Sequence, residues 1–523
     1  MNQLHNTSPC PICGATRRVY LFEIHKSSVT SCAECGLTFS IPAVLPRESE
    51  RFSIRFDETK LRSALPEGKT ELEAGKKYLR MLAERSSNIH NILLIAEPEH
   101  YFAAMAKDFG FNILRHLSAD EMEEGIDLPQ TVDAVVVIYQ LEKSNTIEKI
   151  LDKIYAVLKP GGELFMTILS LDSRSARFFG QSWIGWRPEN KYYFDNINIQ
   201  LLLWRFGFSN VWLNKDLRLY TLSHINERAS GFPETWITRI IRTLYKILPS
   251  NFHDLYFRLP SSGIIVTARK AECREIPVLS IVLPVYNEGS TFSVLMEQLL
   301  DLELTSVQKE IIIVESNSQD NSRELVLNYK DHPEVKIVLQ ERPNGKGNAV
   351  REGMEHATGD IMLIQDADLE YDLNDYIALL EPILTYRNPF ILGARHGGKW
   401  KMRHFSDQPQ MSVYLNFGHI IFTTMLNVFY GQHMKDPFTM FKVFRRDCLY
   451  NLKFECNRFD FDHELVIKLI RKGYVPLEIP VNYYSRSFKE GKKVNIFHDP
   501  FTWLKAIIKF RFVKISKDGR EVI

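Results

Sequence analysis

Three acidic residues at alternate positions, Asp366, Asp368 and Glu370, follow the apolar run Ile361–Ile364. A strand leaving a sheet sends residues i and i+2 to one side. Asp366 and Asp368 can therefore offer hard oxygen ligands to a divalent cation such as Mg²⁺ or Mn²⁺, with Glu370 as a further contact. Such a cation can bridge the phosphates of a sugar nucleotide. A second cluster opens the chain: Cys10, Cys13, Cys32 and Cys35 read C-x2-C-x18-C-x2-C, each pair followed by a glycine, Gly14 or Gly36. Two such turns present four thiolates to one tetrahedral Zn²⁺. A closed four-thiolate site has no open position for substrate, so its expected role is structural. Two disulfides are the alternative, disfavoured in a reducing compartment. Cys273, Cys448 and Cys456 are scattered and read as core or surface residues.

The elements that must carry these groups exceed one hydrophobic core, because the chain has 523 residues. With 65 basic and 64 acidic residues the net charge is +1, which gives no reason to expect a nucleic-acid partner. The polar start Met1–Pro9 lacks the charged and apolar regions of a signal peptide. The expected location is cytoplasmic, with peripheral contact at the inner face of a membrane compatible with the features below.

After a polar stretch from Pro42 to about Gly75, strands and helices alternate. Asn91–Ile95, Asp133–Ile138 and Glu163–Ile168 read as buried strands, and Tyr101–Phe109, Thr146–Leu158 and Ile197–Phe206 as helices, giving an α/β sheet. Here the chain resembles class I S-adenosylmethionine-dependent methyltransferases that carry a leading zinc module. The resemblance fails at the cofactor loop. A glycine-rich turn is replaced by Ala96-Glu97-Pro98-Glu99-His100, and Leu117 stands where an acidic ribose contact belongs. The expectation is a Rossmann-like domain that kept its sheet and lost S-adenosylmethionine; in an active enzyme, Glu97 and Glu99 would have to compensate. Between Asn226 and Pro260, Trp236, Ile237, Ile240, Ile241, Leu244 and Leu248 recur at helical spacing beside Arg239, Arg242 and Lys246. Such a helix can lie on a membrane, but more often packs its stripe on a neighbour.

A second α/β succession begins near Val278. Leu279–Leu283, Glu310–Val314 and Ile361–Ile364 read as buried strands, and helices are expected at Thr291–Leu302, Arg323–Tyr329 and Asn348–Ala357. Loops at the carboxyl ends of parallel strands share one crevice. The segment Met411–Met434 contains no Asp, Glu, Lys or Arg, but Asn416, His419, Asn427 and Gln432 interrupt it, so it reads as lining the acceptor side or packing against the core rather than spanning lipid. At the carboxyl end, Phe501, Trp503, Leu504, Ile507 and Ile508 alternate with Lys505, Lys509, Arg511 and Lys514, which suits either an anionic membrane or a docking helix.

Six motifs in order, Pro284-Val-Tyr286-Asn-Glu288, Gly345-Lys346-Gly347, Gln365–Asp372, Gly393-Ala-Arg395, Asp436–Lys442 and Arg486–Lys493, make the region 278–512 similar to inverting family 2 glycosyltransferases, including dolichyl-phosphate mannosyltransferases. The resemblance implies a GT-A fold with a D-x-D metal site. It further implies donor contacts from Pro284, Tyr286, Glu288, Glu315, Lys346, Asp366, Arg395, Arg486, Lys492 and Lys493. Asp462, with Glu464 nearby, falls where an acceptor hydroxyl would be deprotonated; if the acceptor is a phosphate, Asp462 could merely cap its helix.

The implied organisation is a zinc ribbon at 1–45, a methyltransferase-like domain at 46–272 and a glycosyltransferase domain at 277–523. The expected activity is metal-dependent transfer of a sugar from a nucleotide-diphospho-sugar to a lipid-phosphate or glycan acceptor in surface-polysaccharide or glycolipid assembly. A bifunctional enzyme that also methylates the glycan is the alternative.

Overall fold

The computed structural model describes residues 9–24, 27–42, 66–85, 88–97, 100–124, 131–183, 185–230, 234, 236–271, 274–395, 409–486 and 498–516. The chain divides into two units, Met1–Cys273 and Arg274–Ile523. The expected sites at Glu99, Lys492 and Lys493 lie outside the described residues.

The strands of the first unit are β1 (Arg18–Ile24), β2 (Ser27–Cys32), β3 (Thr38–Pro42), β4 (Asn91–Ile95), β5 (Asn112–Leu117), β6 (Val132–Ile138), β7 (Leu158–Leu169), β8 (Tyr192–Tyr193), β9 (Phe208–Thr221) and β10 (Tyr256–Lys270). They form a four-stranded sheet in the order β1-β2-β3-β8 and a six-stranded sheet in the order β5-β4-β6-β7-β10-β9. β4, β5, β6 and β7 run parallel, and β10 enters antiparallel between β7 and β9. Parallel strands are covered on both faces, which is why β4 and β6 are nearly continuous apolar runs. Helix α1 (Pro66–Arg85) places Tyr78, Leu79 and Leu82 in the core with Phe102 of α2 (Tyr101–Ala106) and Phe165.

The basic insertion forms helix α3 (Trp236–Ile247). It packs Ile237, Ile241 and Tyr245 only partly, and leaves Trp236, Ile240, Leu244 and Ile247 exposed. The expectation that this helix packs its stripe on a neighbour holds in part: it contacts the helix Leu222–Ser230, while the line Trp236, Ile240, Leu244 and Ile247 stays open.

The second unit is built on a seven-stranded sheet. Its strands are β11 (Val278–Val285), β12 (Gln308–Glu315), β13 (Val335–Leu339), β14 (Ile361–Ile364), β15 (Phe390–Ala394), β16 (Lys442–Arg445) and β17 (Leu477–Pro480), in the order β13-β12-β11-β14-β16-β15-β17. β11 to β14 are parallel, whereas β16 runs antiparallel to β14 and β15. Around the sheet lie helices α4 (Lys346–His356), α5 (Pro409–Tyr430), α6 (Asp460–Arg471) and α7 (Asp499–Phe512). Among the described residues no helix is long and apolar enough to cross a membrane.

Candidate functional site

The carboxyl ends of β11 and β14 open into a cavity of about 760 Å³ in the second unit. β14 stops at Ile364, so the acidic triplet sits on the loop beyond it. That loop bends at Leu369, whose φ of 56° is left-handed and sparsely populated for a branched residue. The bend leaves Asp366, Asp368 and Glu370 all lining the cavity. From the opposite side comes Lys346, the first residue of α4. Gly345, at φ 95°, and Gly347 let this turn lie against the 457–461 segment; a Cβ at either would come within 2.4 Å of the Asn457 carbonyl or 2.5 Å of Phe461 Cβ.

Lys346 Nζ lies 2.6 Å from Asp366 Oδ1. Burial works against its charge, but Asp366, Asp462 and Asp368 outweigh this and hold its pKa above the ordinary lysine value. Arg486 follows β17 on a segment pinned to the acidic loop, where Tyr484 N donates to the Glu370 carbonyl at 2.8 Å and Arg486 N to Glu370 Oε1 at 2.7 Å. Its guanidinium reaches Asp368 at 2.8 Å and Glu288 at 3.1 Å. At this end of the cavity, among the described residues, four carboxylates (Glu288, Asp366, Asp368, Glu370) thus face two cations, Lys346 and Arg486. The imbalance falls on Asp368: burial, then the charges of Asp366 and Glu370, push its pKa up to about 7 despite Arg486 and Lys346. Such a cluster suits a dication, and Asp366 and Asp368 are the residues that could hold it. Glu370 is already engaged by Tyr483 Oη at 2.8 Å as well as by Arg486 N, so it has less freedom to serve.

Pro284, Tyr286, Glu288, Lys346, Asp366, Asp368, Glu370, Arg395, Arg486 and Asp462 line this one cavity. Three side chains depart from expectation. Arg395, expected to clamp phosphate, forks onto Asp436 with two 2.8 Å bonds in a pair that is almost fully buried. Burial would raise the Asp436 pKa, but Arg395 overrides it and holds the carboxyl well below the usual range. Glu315, expected to touch donor, is fully buried and accepts from Asn317 N, Ser318 N at 2.6 Å and Arg323 Nε. Glu464 is also fully buried, accepting from Glu455 N at 3.0 Å, Cys456 N at 2.8 Å and Lys468 Nζ. Both carboxylates organise loops and do not line the cavity. Asp462 does line it, and its Oδ1 accepts from Lys442 Nζ at 2.8 Å.

Sequence reasoning took Lys442 only as the end of a motif, although a lysine ahead of the apolar pair Val443-Phe444 in β16 must find a counter-charge when buried. It also passed over an aromatic wall. The His463 ring is stacked between Phe438, 4.1 Å away, and Trp503, 5.6 Å away, where burial pushes its pKa down to about 3 and keeps it neutral. Residues of α5, among them Phe417, Ile421 and Phe422, complete that apolar half of the cavity.

In the first unit the four cysteine Sγ atoms lie within 4.8 Å of one another, with Cys10 3.4 Å from Cys35 and Cys13 3.5 Å from Cys32. Gly14 N donates to the Cys10 carbonyl and Gly36 N to the Cys32 carbonyl, closing two matched turns with Gly14 at φ 74° and Gly36 at φ 77°. This set fits one tetrahedral thiolate-bound ion. In the loop after β4, where an active methyltransferase would need Glu97 as a cofactor contact, the described side chains have partners of their own. Glu97 is held by Lys143 at 2.6 Å and Gln140 at 3.1 Å, and His100 stacks on Tyr101 at 3.9 Å.

A model of glycosyl transferase family 2 matches residues 280–452. A dolichyl-phosphate β-glucosyltransferase of Trichomonas vaginalis is 27% identical over 251 residues, covering 43% of this chain and 75% of that protein. The poly-β-1,6-N-acetyl-D-glucosamine synthase of Staphylococcus epidermidis is 30% identical over 133 residues, covering 25% of this chain and 31% of that protein. Among solved structures, glucosyl-3-phosphoglycerate synthase from Mycobacterium tuberculosis, in complex with Mn²⁺, UDP and glucosyl-3-phosphoglycerate, is similar at 17% identity and a TM-score of 0.33, covering 45% of this chain and 81% of that one. The C-terminal region of this chain therefore carries a family 2 glycosyltransferase domain, and the protein is a glycosyltransferase.

Proposed function

We propose that the second unit, as a GT-A-type domain, transfers a sugar with inversion from a nucleotide-diphospho-sugar to a lipid-phosphate or glycan acceptor. The observation that carries this is the excess of carboxylates over cations at one end of a cavity whose other half is aromatic and holds Asp462. A divalent ion bound by Asp366 and Asp368 would supply Lewis-acid stabilisation of the departing diphosphate. Arg486 and Lys346 stand ready to turn from these carboxylates to the phosphates, Arg486 as a fork and Lys346 as a point charge. Asp462, beside the aromatic wall, would take the proton of an acceptor hydroxyl. The dolichyl-phosphate relative supports a lipid-phosphate acceptor and the polysaccharide synthase a glycan. A thermal-shift screen of UDP-, GDP- and dTDP-sugars tests the donor. One of them together with Mn²⁺ is expected to add about 2.7 kcal/mol at roughly 100 times its Kd, or roughly 5–10 °C, with little shift from the sugar nucleotide alone. Flat melting curves for every pair would refute the reading.

We infer further that Cys10, Cys13, Cys32 and Cys35 hold one structural Zn²⁺, and that the methyltransferase-like sheet, proposed for 46–272, serves as a scaffold. Glu97 and His100 being committed to internal partners supports the scaffold role over a bifunctional enzyme. Metal analysis is expected to find one zinc per chain in the parent and none in Cys10→Ser/Cys32→Ser. That variant is also expected to expose 9–42 to protease, since zinc supplies much of the folding energy of so small a sheet.

A further inference from the structure

We propose that helix α3 of the first unit docks on an anionic lipid surface. Trp236, Ile240, Leu244 and Ile247 are 66%, 48%, 46% and 73% exposed, and by helical spacing they form one line. Ile237, Ile241 and Tyr245 turn the next face of the helix towards the protein, each half-buried. Arg239, Arg242 and Lys246 run along the opposite flank, and residues 236–247 contain no Asp or Glu. Arg239 and Arg242 each lie 3.7 Å from Glu234, which is itself 58% exposed.

Around this helix the perimeter therefore passes from protein-packed, to open apolar, to cationic. That succession matches an interfacial helix, whose apolar face enters the acyl boundary while its cations stay at the headgroups. A tryptophan at one end of the line fits the same boundary. The surface does not stop at the helix. Phe252 and Leu255, in the segment that returns from it to the sheet, and Phe257 and Leu259, at the start of β10, are each 40–47% exposed, and Arg258 beside them is exposed too. The opposed charge selects a lipid surface carrying negative headgroups over an apolar protein groove, because cations beside an apolar line would be desolvated without partners in such a groove. The proposal stands apart from the transferase reading, since α3 belongs to the first unit and contributes nothing to the cavity of the second.

The test is flotation of the full chain with vesicles of phosphatidylcholine alone or with phosphatidylglycerol added. Binding is expected only with the anionic lipid and is expected to fall with salt. Arg239→Gln/Arg242→Gln/Lys246→Gln should weaken it roughly 100-fold, at about fivefold per cation, and Ile240→Ser/Leu244→Ser at least tenfold. All five residues lie at the surface, so unchanged melting temperatures will show that the variants fold. Absence of binding, equal binding to neutral vesicles, or binding unaltered in both variants would overturn the proposal. So would light scattering showing a dimer that Ile240→Ser/Leu244→Ser dissociates, which would make the line a contact between two copies.

Discussion

Asp368→Asn is expected to lower sugar transfer by roughly 10²–10³-fold, the cost of removing one preorganised contact to developing charge, while leaving the fold intact. The amide oxygen can keep the shorter of the two bonds that the carboxylate accepts, that from Arg486 at 2.8 Å on Oδ2, and gives up the longer one from Glu370 N at 3.2 Å on Oδ1. One repulsive charge beside Asp366 and Glu370 is also removed, so the melting temperature should hold or rise. Activity and stability thus move in opposite directions, which a purely structural role for Asp368 would not produce. The pH dependence gives a second signature. Burial and the neighbouring carboxylates hold the Asp368 pKa at about 7, above the ordinary value, so below that pH the group carries a proton that a dication must displace. Mn²⁺ affinity should therefore rise with pH up to about 7, about tenfold per unit below it, and calorimetry in buffers of different ionisation heat should detect proton release on binding. In Asp368→Asn both the proton release and the slope should vanish. Retention of full transfer by the variant would remove the metal from the mechanism.

What was legible in the chain was local. β11, β12 and β14 carry buried apolar runs, Ile281–Leu283, Ile311–Val314 and Ile361–Ile364, and the carboxylates at their ends or up to three residues beyond, Glu288, Glu315 and Asp366, were visible by position alone. The four cysteines were equally plain, because ligand spacing within a turn is a property of the turn. Partners far apart in the chain were not legible. Arg395 looks like a phosphate clamp until β15 and the 436 loop bring Asp436 against it, 41 residues later. Glu315 and Glu464 look like functional acids for the same reason: nothing in their neighbourhoods announces that Arg323 or the backbone of Glu455 and Cys456 will saturate them. The exposed line on α3 was hidden differently. Periodicity shows that a helix has an apolar stripe, but the width that its neighbours cover depends on tertiary packing, and here they cover only part.

Asp462→Asn is the substitution that decides what the acceptor offers. Asp462 lies in the first turn of α6, yet the residue at the helix N-cap is Phe459, which makes no side-chain cap, and the Asp462 carboxylate turns to Lys442 instead. Capping is thus not its work, which leaves the roles of base and counter-ion. As base for a hydroxyl acceptor it is worth roughly 10²–10⁴ in rate. As counter-ion to the fully buried Lys442 ammonium it matters for stability, since an uncompensated buried charge costs about 3–5 kcal/mol. The two are separable: Asp462→Asn should lose both rate and melting temperature, whereas Asp462→Asn/Lys442→Met should regain the melting temperature without the rate. The larger rate loss is expected, because the other cations of the acceptor half are already matched, Arg395 with Asp436 at 2.8 Å and Arg458 with Asp499 at 3.1 Å. With these cations matched, the Asp462 carboxylate is the group of this half that a hydroxyl acceptor would need as its base. A rate loss below tenfold in the double variant would reverse that assignment: the attacking oxygen would then arrive already anionic, and Asp462 would serve only to keep Lys442 charged.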